Sequence, residues 1–202
     1  MWVVKLGGSL SRDPLLRPWL DLLAELGGGR VIVVPGGGAF ADQAREAQAW
    51  WRVDDLAGHN MAVLGMAQTA MLMRGLCPAL QPAADEAQIR QALHRGQPAL
   101  WVPLDLLRQQ AGELTHWGVS SDSLALWLAQ RVHAERLIVV KSCAIDPALS
   151  LDQLGEAGVL DTEFAARARS AAFPIEVLHK AELARARARL LDDTLSCRPY
   201  AA

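Results

Sequence analysis

Met1-Trp2-Val3-Val4-Lys5-Leu6-Gly7-Gly8-Ser9-Leu10 opens the chain, and everything downstream makes sense as support for it. Trp2 to Leu6 is a β-rich run with a lysine near its end. It breaks into two glycines, where backbone amides approach a ligand with no side chain in the way. The design returns at Arg30-Val31-Ile32-Val33-Val34-Pro35, an apolar strand closed by Gly36-Gly37-Gly38 ahead of a helix from about Ala39. Unbroken Val/Ile/Leu runs mark parallel strands buried on both faces, and open sheets of that kind bind ligands at the carboxyl ends of their strands. Each glycine cluster alone reads as an ordinary strand-to-helix turn. The pair, with Lys5 beside the first, is expected to form a phosphate cradle at one sheet edge.

The rest of the chain alternates. Helical spacing covers Pro14 to Leu26, about Ala39 to Trp51, and about Asp54 to Leu76. A short strand is expected at Pro78 to Leu80, a helix at Glu86 to His94, and a strand at Pro98 to Pro103. A loop then leads to Thr115-His116-Trp117-Gly118-Val119-Ser120-Ser121-Asp122, with Ser121 or Asp122 capping a helix from Leu124 to His133. Arg136 to Lys141 repeats the opening design, an apolar strand ending on lysine and followed by Ser142. The tail predicts a helix around Asp161 to Ala171, a strand at Pro174 to Leu178 and a helix from Lys180 to Leu191. Alternating β and α implies a three-layer α/β/α sandwich on a largely parallel sheet. Neither GxxxxGK[ST] nor GxGxxG is present, so any phosphate is held by another cradle.

Composition narrows the classes. The 202 residues, without a linker, repeat or charge block, read as one domain spanning 1–202. A formal net charge of -2 and a pI near 6.2 give no basis for a nucleic-acid partner. Arg185, Arg187 and Arg189 sit beside Glu182, Asp192 and Asp193 as a solvated helix face. Cys77, Cys143 and Cys197 have neither CxxC nor metal-ligand spacing and are expected to be reduced, in a cytoplasmic protein. The N-terminus has no basic leader or cleavable apolar core, because Lys5 interrupts the first apolar run. Leu56 to Met73 lacks Asp, Glu, Lys and Arg, but His59, Asn60, Gln68 and Thr69 make it a buried or interface helix rather than a membrane span, and a homodimer or larger homo-oligomer is expected through it. Of 20 basic residues only Lys5, Lys141 and Lys180 are lysine. A compact ammonium pressed on phosphate is a task to which arginine's broad fork is ill suited. Lys180, in a polar run, carries no such expectation.

Lys5-Leu-Gly-Gly-Ser9, Pro35-Gly-Gly-Gly38, Ser120-Ser-Asp-Ser123 and the Lys141 strand, in that order and spacing, resemble the amino acid kinase superfamily over nearly the whole chain. Gly58-His-Asn-Met61 and Gly158-Val-Leu-Asp161 are similar to stretches of bacterial uridylate kinases. The segments Val34 to Arg45 and Trp117 to Ser123 look closer to the [5-(aminomethyl)furan-3-yl]methyl phosphate kinases of methanofuran-type cofactor synthesis. The resemblance implies a carbamate-kinase-like fold, an acceptor site in the N-terminal half, ATP with Mg²⁺ in the C-terminal half, and in-line γ-phosphoryl transfer. It implies Lys5 on the migrating group, amides of Gly7, Gly8, Gly36, Gly37 and Gly38 with Ser9 around the phosphate, and Asp122 orienting Lys5 or assisting the metal, with no direct protein ligand to metal assigned. Asp42, Arg45, His59, Trp117, Ser120 and Ser121 are the expected acceptor-side residues. Lys141, Ser142, Asp146 and Asp161 are those expected at ATP. Many relatives carry Gly-Gly-Met-x-x-Lys where this chain reads Leu154-Gly-Glu-Ala-Gly-Val-Leu-Asp161 without a lysine, so either Lys141 takes over that charge or the nucleotide site differs.

Overall fold

A computed structural model describes residues 1–196. Six parallel strands form one sheet: β1 (Trp2–Leu6), β2 (Val31–Pro35), β3 (Gln81–Ala83), β4 (Ala99–Trp101), β5 (Arg136–Lys141) and β6 (Ile175–His179), in the order β3-β4-β2-β1-β5-β6. The helices are α1 (Leu16–Leu26), α2 (Gly38–Trp51), α3 (Asp55–Leu76), α4 (Glu86–His94), α5 (Ser121–Arg131), α6 (Leu151–Glu156), α7 (Phe164–Ala168) and α8 (Leu183–Ser196).

β1 and β2 are buried at every position, as their unbroken apolar runs require. Side chains alternate across a strand. Trp2, Val4 and Leu6 accordingly pack with Trp19, Leu20 and Leu23 of α1 and with Ala186 and Leu190 of α8. Val3 packs on the opposite face with Leu124, Ala125 and Leu128 of α5, Leu154 of α6 and Phe164 of α7. Two helical layers enclose the sheet, giving the expected three-layer sandwich. The chain leaves β1 for β2 on one side and returns through α5 to β5 on the other, so a topological switch point falls at β1, where a sheet of this kind opens a crevice.

Several local expectations shift. The short strand lies at Gln81–Ala83, after Leu80, because the Gln81 amide donates to Pro98 O (2.9 Å) and starts the pairing there. The cap of α5 is Ser120, whose Oγ accepts the Asp122 amide at 3.2 Å, in place of Ser121 or Asp122. The helix expected from Asp161 shortens to Phe164–Ala168, and α6, closed by a Ser150 and Gln153 capping box, was not anticipated from the sequence. The last helix begins at Leu183, since Glu182 turns back to accept the His179 amide. Lys180 pairs with Asp13, a structural tie, and Arg185 and Arg187 pair with Glu182 and Glu25. Cys77 is a buried free thiol and Cys143 an exposed one, while Cys197 lies outside the described residues.

The two glycine turns meet backbone on backbone. A Cβ on Gly36 would lie 2.2 Å from Gly8 N, and one on Gly8 would lie 2.3 Å from Gly38 N. Gly38 also has φ +54°, a conformation glycine adopts freely. Backbone cannot swing aside as a side-chain tip can, so Gly36→Ala should cost about 1–3 kcal/mol of unfolding free energy in urea, the usual size of an overpacking penalty. Gly75→Ala, in α3 with nothing within 4 Å of the added methyl, should be neutral or stabilising.

Candidate active site

The alternation that buries Val3 also turns Lys5 toward α5. Leu137 and Val139 of the neighbouring strand share that face, so Lys141, two residues on, joins it. Both ammonium groups converge on one carboxylate. Lys5 Nζ donates to Asp122 Oδ1 and Lys141 Nζ to Asp122 Oδ2 at 2.7 Å. Lys5 and Asp122 are each 2% exposed. Asp122 is held in place by a residue 39 positions later: Asp161 accepts Ser120 N (2.9 Å), Ser120 Oγ (2.8 Å), Ser123 N (2.9 Å) and Ser123 Oγ (2.6 Å), clamping the first turn of α5.

Two ammoniums against one carboxylate leave an excess positive charge in a desolvated place, where field strength is high. Burial pulls the Lys5 ammonium below the ordinary lysine value; Asp122 resists this and Lys141 adds to it. Burial works upward on Asp122, yet Lys5 and Lys141 outweigh it and hold the carboxyl below its ordinary value.

A cavity of about 480 Å³ opens over this centre. Of the residues expected from the sequence, it gathers Lys5, Gly8, Ser9, Gly37, Gly38, Asp42, Arg45, His59, Trp117, Ser120, Ser121, Asp122 and Lys141. Gly7, Gly36, Ser142, Asp146 and Asp161 do not line it. Gly7 N donates to Val140 O (2.9 Å) and Gly36 N to Leu6 O (2.8 Å), so their amides extend the sheet and are not available to phosphate. Gly8 and Gly38 open a 3-10 helix and α2, and the first N–H groups of a helix have no partner within it. Asp161, expected at ATP, has its carboxylate engaged by the α5 turn, and exposed Asp146 accepts the Ala148 amide at 2.9 Å. Ser142 meets Ser9 Oγ to Oγ at 2.6 Å, tying the turn after β1 to the end of β5.

The acceptor-side residues are reordered too. The Ser120 hydroxyl donates to Asp161, which leaves Ser121 as the serine of the pair with no bonded partner among the described residues. Arg45 Nη1 donates to Asp42 (2.9 Å), and its guanidinium lies over the Trp117 ring, 4.8 Å from the centroid, so that face of the indole is covered. Burial lowers the His59 pKa, against the opposing pull of its backbone hydrogen bonds, and its Nε2 donates to Leu106 O at 3.2 Å. The cavity also holds residues the sequence did not single out, among them Arg12, Asp55, Met66 and His116. Arg12 had a signal, a cation one turn beyond the first glycines. Asp55 had none, because the fold alone brings the start of α3 to this wall. Lys141, one of the two alternatives for the lysine missing from the Leu154 to Asp161 stretch, is the second ammonium on Asp122. Among the described residues no group of three His, Cys, Asp or Glu is placed to hold a metal ion, and both Asp122 oxygens are on lysines.

Residues 1–144 match the amino acid kinase family, and the chain belongs to it. A [5-(aminomethyl)furan-3-yl]methyl phosphate kinase of Methanocaldococcus jannaschii is 25% identical over 143 residues, 69% of this chain; the chain spans 64% of the length of that relative. In fold the chain is similar to the uridylate kinase of Archaeoglobus fulgidus (TM-score 0.68, 18% identity, 93% of this chain and 96% of that one). It is similar also to the UMP kinase of Bacillus anthracis (0.66, 17%, 95% and 91%) and to an isopentenyl phosphate kinase (0.62, 15%, 95% and 96%).

Removing one partner of a buried charge cluster leaves the others uncompensated. Asp122→Asn should therefore cost about 3–5 kcal/mol at neutral pH. The depressed Asp122 carboxyl contributes stability present above the ordinary carboxylate value of ~3.9 and lost as pH falls through its folded value. Lys5, depressed as well, costs stability at neutral pH, a cost that fades as pH rises toward ~10.4. The variant should thus regain more stability than the wild type between about pH 7 and about pH 10 in urea unfolding, since its Lys5 gives up the proton more readily.

Proposed function

We propose that this chain is an ATP-dependent kinase acting on a small phosphate monoester, [5-(aminomethyl)furan-3-yl]methyl phosphate, to give the diphosphate. The observation that carries the proposal is the pair of lysines on one buried carboxylate at the carboxyl edge of the sheet, beside the two glycine turns. Phosphoryl transfer asks a protein for positioning and charge neutralisation more than for covalent chemistry. An acceptor phosphate oxygen attacks the γ-phosphorus, the bond to the β,γ-bridging oxygen breaks, and ADP leaves. Lys5 and Lys141 neutralise the equatorial oxygens of the migrating group, and the Gly8, Gly37 and Gly38 amides hold the acceptor phosphate. Mg²⁺ held by the nucleotide's own phosphates would add positive charge to that neutralisation, with no ligand from the described residues. Ser121, Arg12 and Arg45 are the further donors on the acceptor side, and His59, Met66 and Trp117 give the cavity its apolar and aromatic wall.

The choice of acceptor rests on the named relative and on the charges of the cavity. Asp42 is neutralised by Arg45, whereas Asp55 has no cationic partner among the described residues and offers its carboxylate to an ammonium group. A labelled-ATP screen tests this with the furan phosphate, UMP and isopentenyl phosphate. Transfer to UMP in preference would make the chain a uridylate kinase, and transfer to none of them would favour a nucleotide- or oxyanion-binding protein. We also infer self-association through α3, whose outer positions Leu64 (43% exposed), Met71 (52%) and Leu72 (38%) are apolar, and a cytoplasmic setting; light scattering at micromolar concentration checks the first.

Lys5→Ala should lower kcat/KM by roughly 100- to 1,000-fold with a smaller effect on ATP binding, as loss of one preorganised donor to the transition state does elsewhere. Near-full activity would defeat the mechanism. Since Lys5 acts as the ammonium, kcat/KM should decline on the alkaline side at a pH below the ordinary lysine value. Arg45→Ala should raise the acceptor KM far more than the KM for ATP.

A further inference from the structure

Gly58 is a glycine inside α3, where alanine is the better helix former, and the role of the gap it leaves is visible in the packing. A Cβ there would lie 2.4 Å from Gln48 Oε1, 2.7 Å from its Cδ and 3.0 Å from its Nε2. The Gln48 carboxamide fills the missing side chain's space. From that seat both of its ends are used. Oε1 accepts the Trp117 indole N–H, while Nε2 faces Val53 O (3.3 Å), Asp54 O (3.2 Å) and Asp55 Oδ1 (3.0 Å). One amide therefore fixes two side chains of the cavity wall, Trp117 and Asp55, which come from different parts of the chain. The two residues after Gly58 serve the same segment: His59 donates to Leu106 O, and Asn60 exchanges two bonds with Arg108, Nδ2 to Arg108 O (2.8 Å) and Arg108 N to Oδ1 (2.9 Å).

We propose that Gln48, seated by Gly58, is a positioning residue that holds Trp117, and with it the stacked Arg45 guanidinium, in the geometry that receives the acceptor. Gly58-His59-Asn60 is then the mooring of the connection from 104 to 119 onto α3. The inference needs no particular acceptor, only that the cavity is the acceptor site proposed above.

The two substitutions that test it act oppositely on the helix. Gln48→Leu keeps the bulk and removes both hydrogen-bonding ends. Gly58→Ala improves the helix but drives the carboxamide from its seat; the displaced group is the tip of a flexible side chain, so the fold accommodates the change. Both variants should accelerate backbone hydrogen exchange in the peptide covering 112–119, with the thermal midpoint unchanged or, for Gly58→Ala, raised. With UMP and the furan phosphate as probes, both should raise the KM of whichever is the acceptor by about three- to ten-fold, the worth of one lost hydrogen bond, and leave kcat and the KM for ATP near wild type. Gln48→Glu, which keeps the acceptor for the indole N–H but sets a carboxylate against Asp55, should slow exchange back toward wild type at Trp117. Unchanged exchange in both Gln48→Leu and Gly58→Ala overturns the mooring, as does a fall in kcat and thermal midpoint with no change in acceptor KM. Accelerated exchange in a protein that phosphorylates neither probe would leave the mooring standing and count against the kinase proposal instead.

Discussion

Two buried ammonium groups share one carboxylate, and most of the architecture can be derived from what that arrangement demands. Desolvating Lys5 and Asp122 is costly unless each has its partner at hydrogen-bond distance. The partners sit at positions 5, 122 and 141, so the cost is met only when β1 and β5 are neighbours and α5 packs across both. The sheet order β2-β1-β5 and the crossover through α5 are the topological form of that electrostatic requirement. Two ammonium groups against one carboxylate leave positive charge over at the wall of the cavity, the feature on which the proposed phosphoryl transfer rests.

Steric constraint completes what charge begins. Gly8 and Gly36 to Gly38 touch through bare backbone, which brings the starts of the 3-10 helix and of α2 to the same place. The sheet takes the amides of Gly7 and Gly36, while Gly8, Gly37 and Gly38, at the starts of the 3-10 helix and of α2, line the cavity; helix starts are where an anion is favoured. A turn of larger residues would hold the strands further apart and dilute both effects. The glycines thus serve close approach first, and Gly8 and Gly38, which meet backbone on backbone, are also among those at the cavity wall.

How far this was legible in the sequence depended on the range of the signal. Strands β1, β2 and β5 are strings of Val, Ile and Leu ending at Gly or Lys, so local pattern placed them within a residue or two. Lys5, Lys141, Asp122 and the glycines stood out because their residue types are rare here or ill suited to a plain core. Where the structure departs from the expectation, the deciding contact is distant. Asp161 is a nucleotide ligand or a helix clamp depending on whether it reaches Ser120 and Ser123, about 40 positions away. Trp117 and Arg45 were each expected on the acceptor side, but nothing in the neighbourhood of Trp117 announces Arg45, 72 positions earlier, over the face of its ring. Gln48 has no signature at all; its trace is the absence of a side chain at Gly58.

The long-range contacts also explain why the chain after Lys141 matters to a centre it does not line. Asp161 follows α6 and a turn at Gly158, whose φ of +69° sets the direction of approach. Its carboxylate takes both the hydroxyl and the amide of Ser120 and of Ser123, which bracket Asp122. Hydrogen bonds to a charged acceptor are the stronger kind, and four on one carboxylate fix the rotation of the first helical turn. That rotation sets where the Asp122 oxygens point, and hence where Lys5 and Lys141 hold their charges. Chain beyond the segment that matches the family is thereby coupled to the ammonium pair through a single helix end.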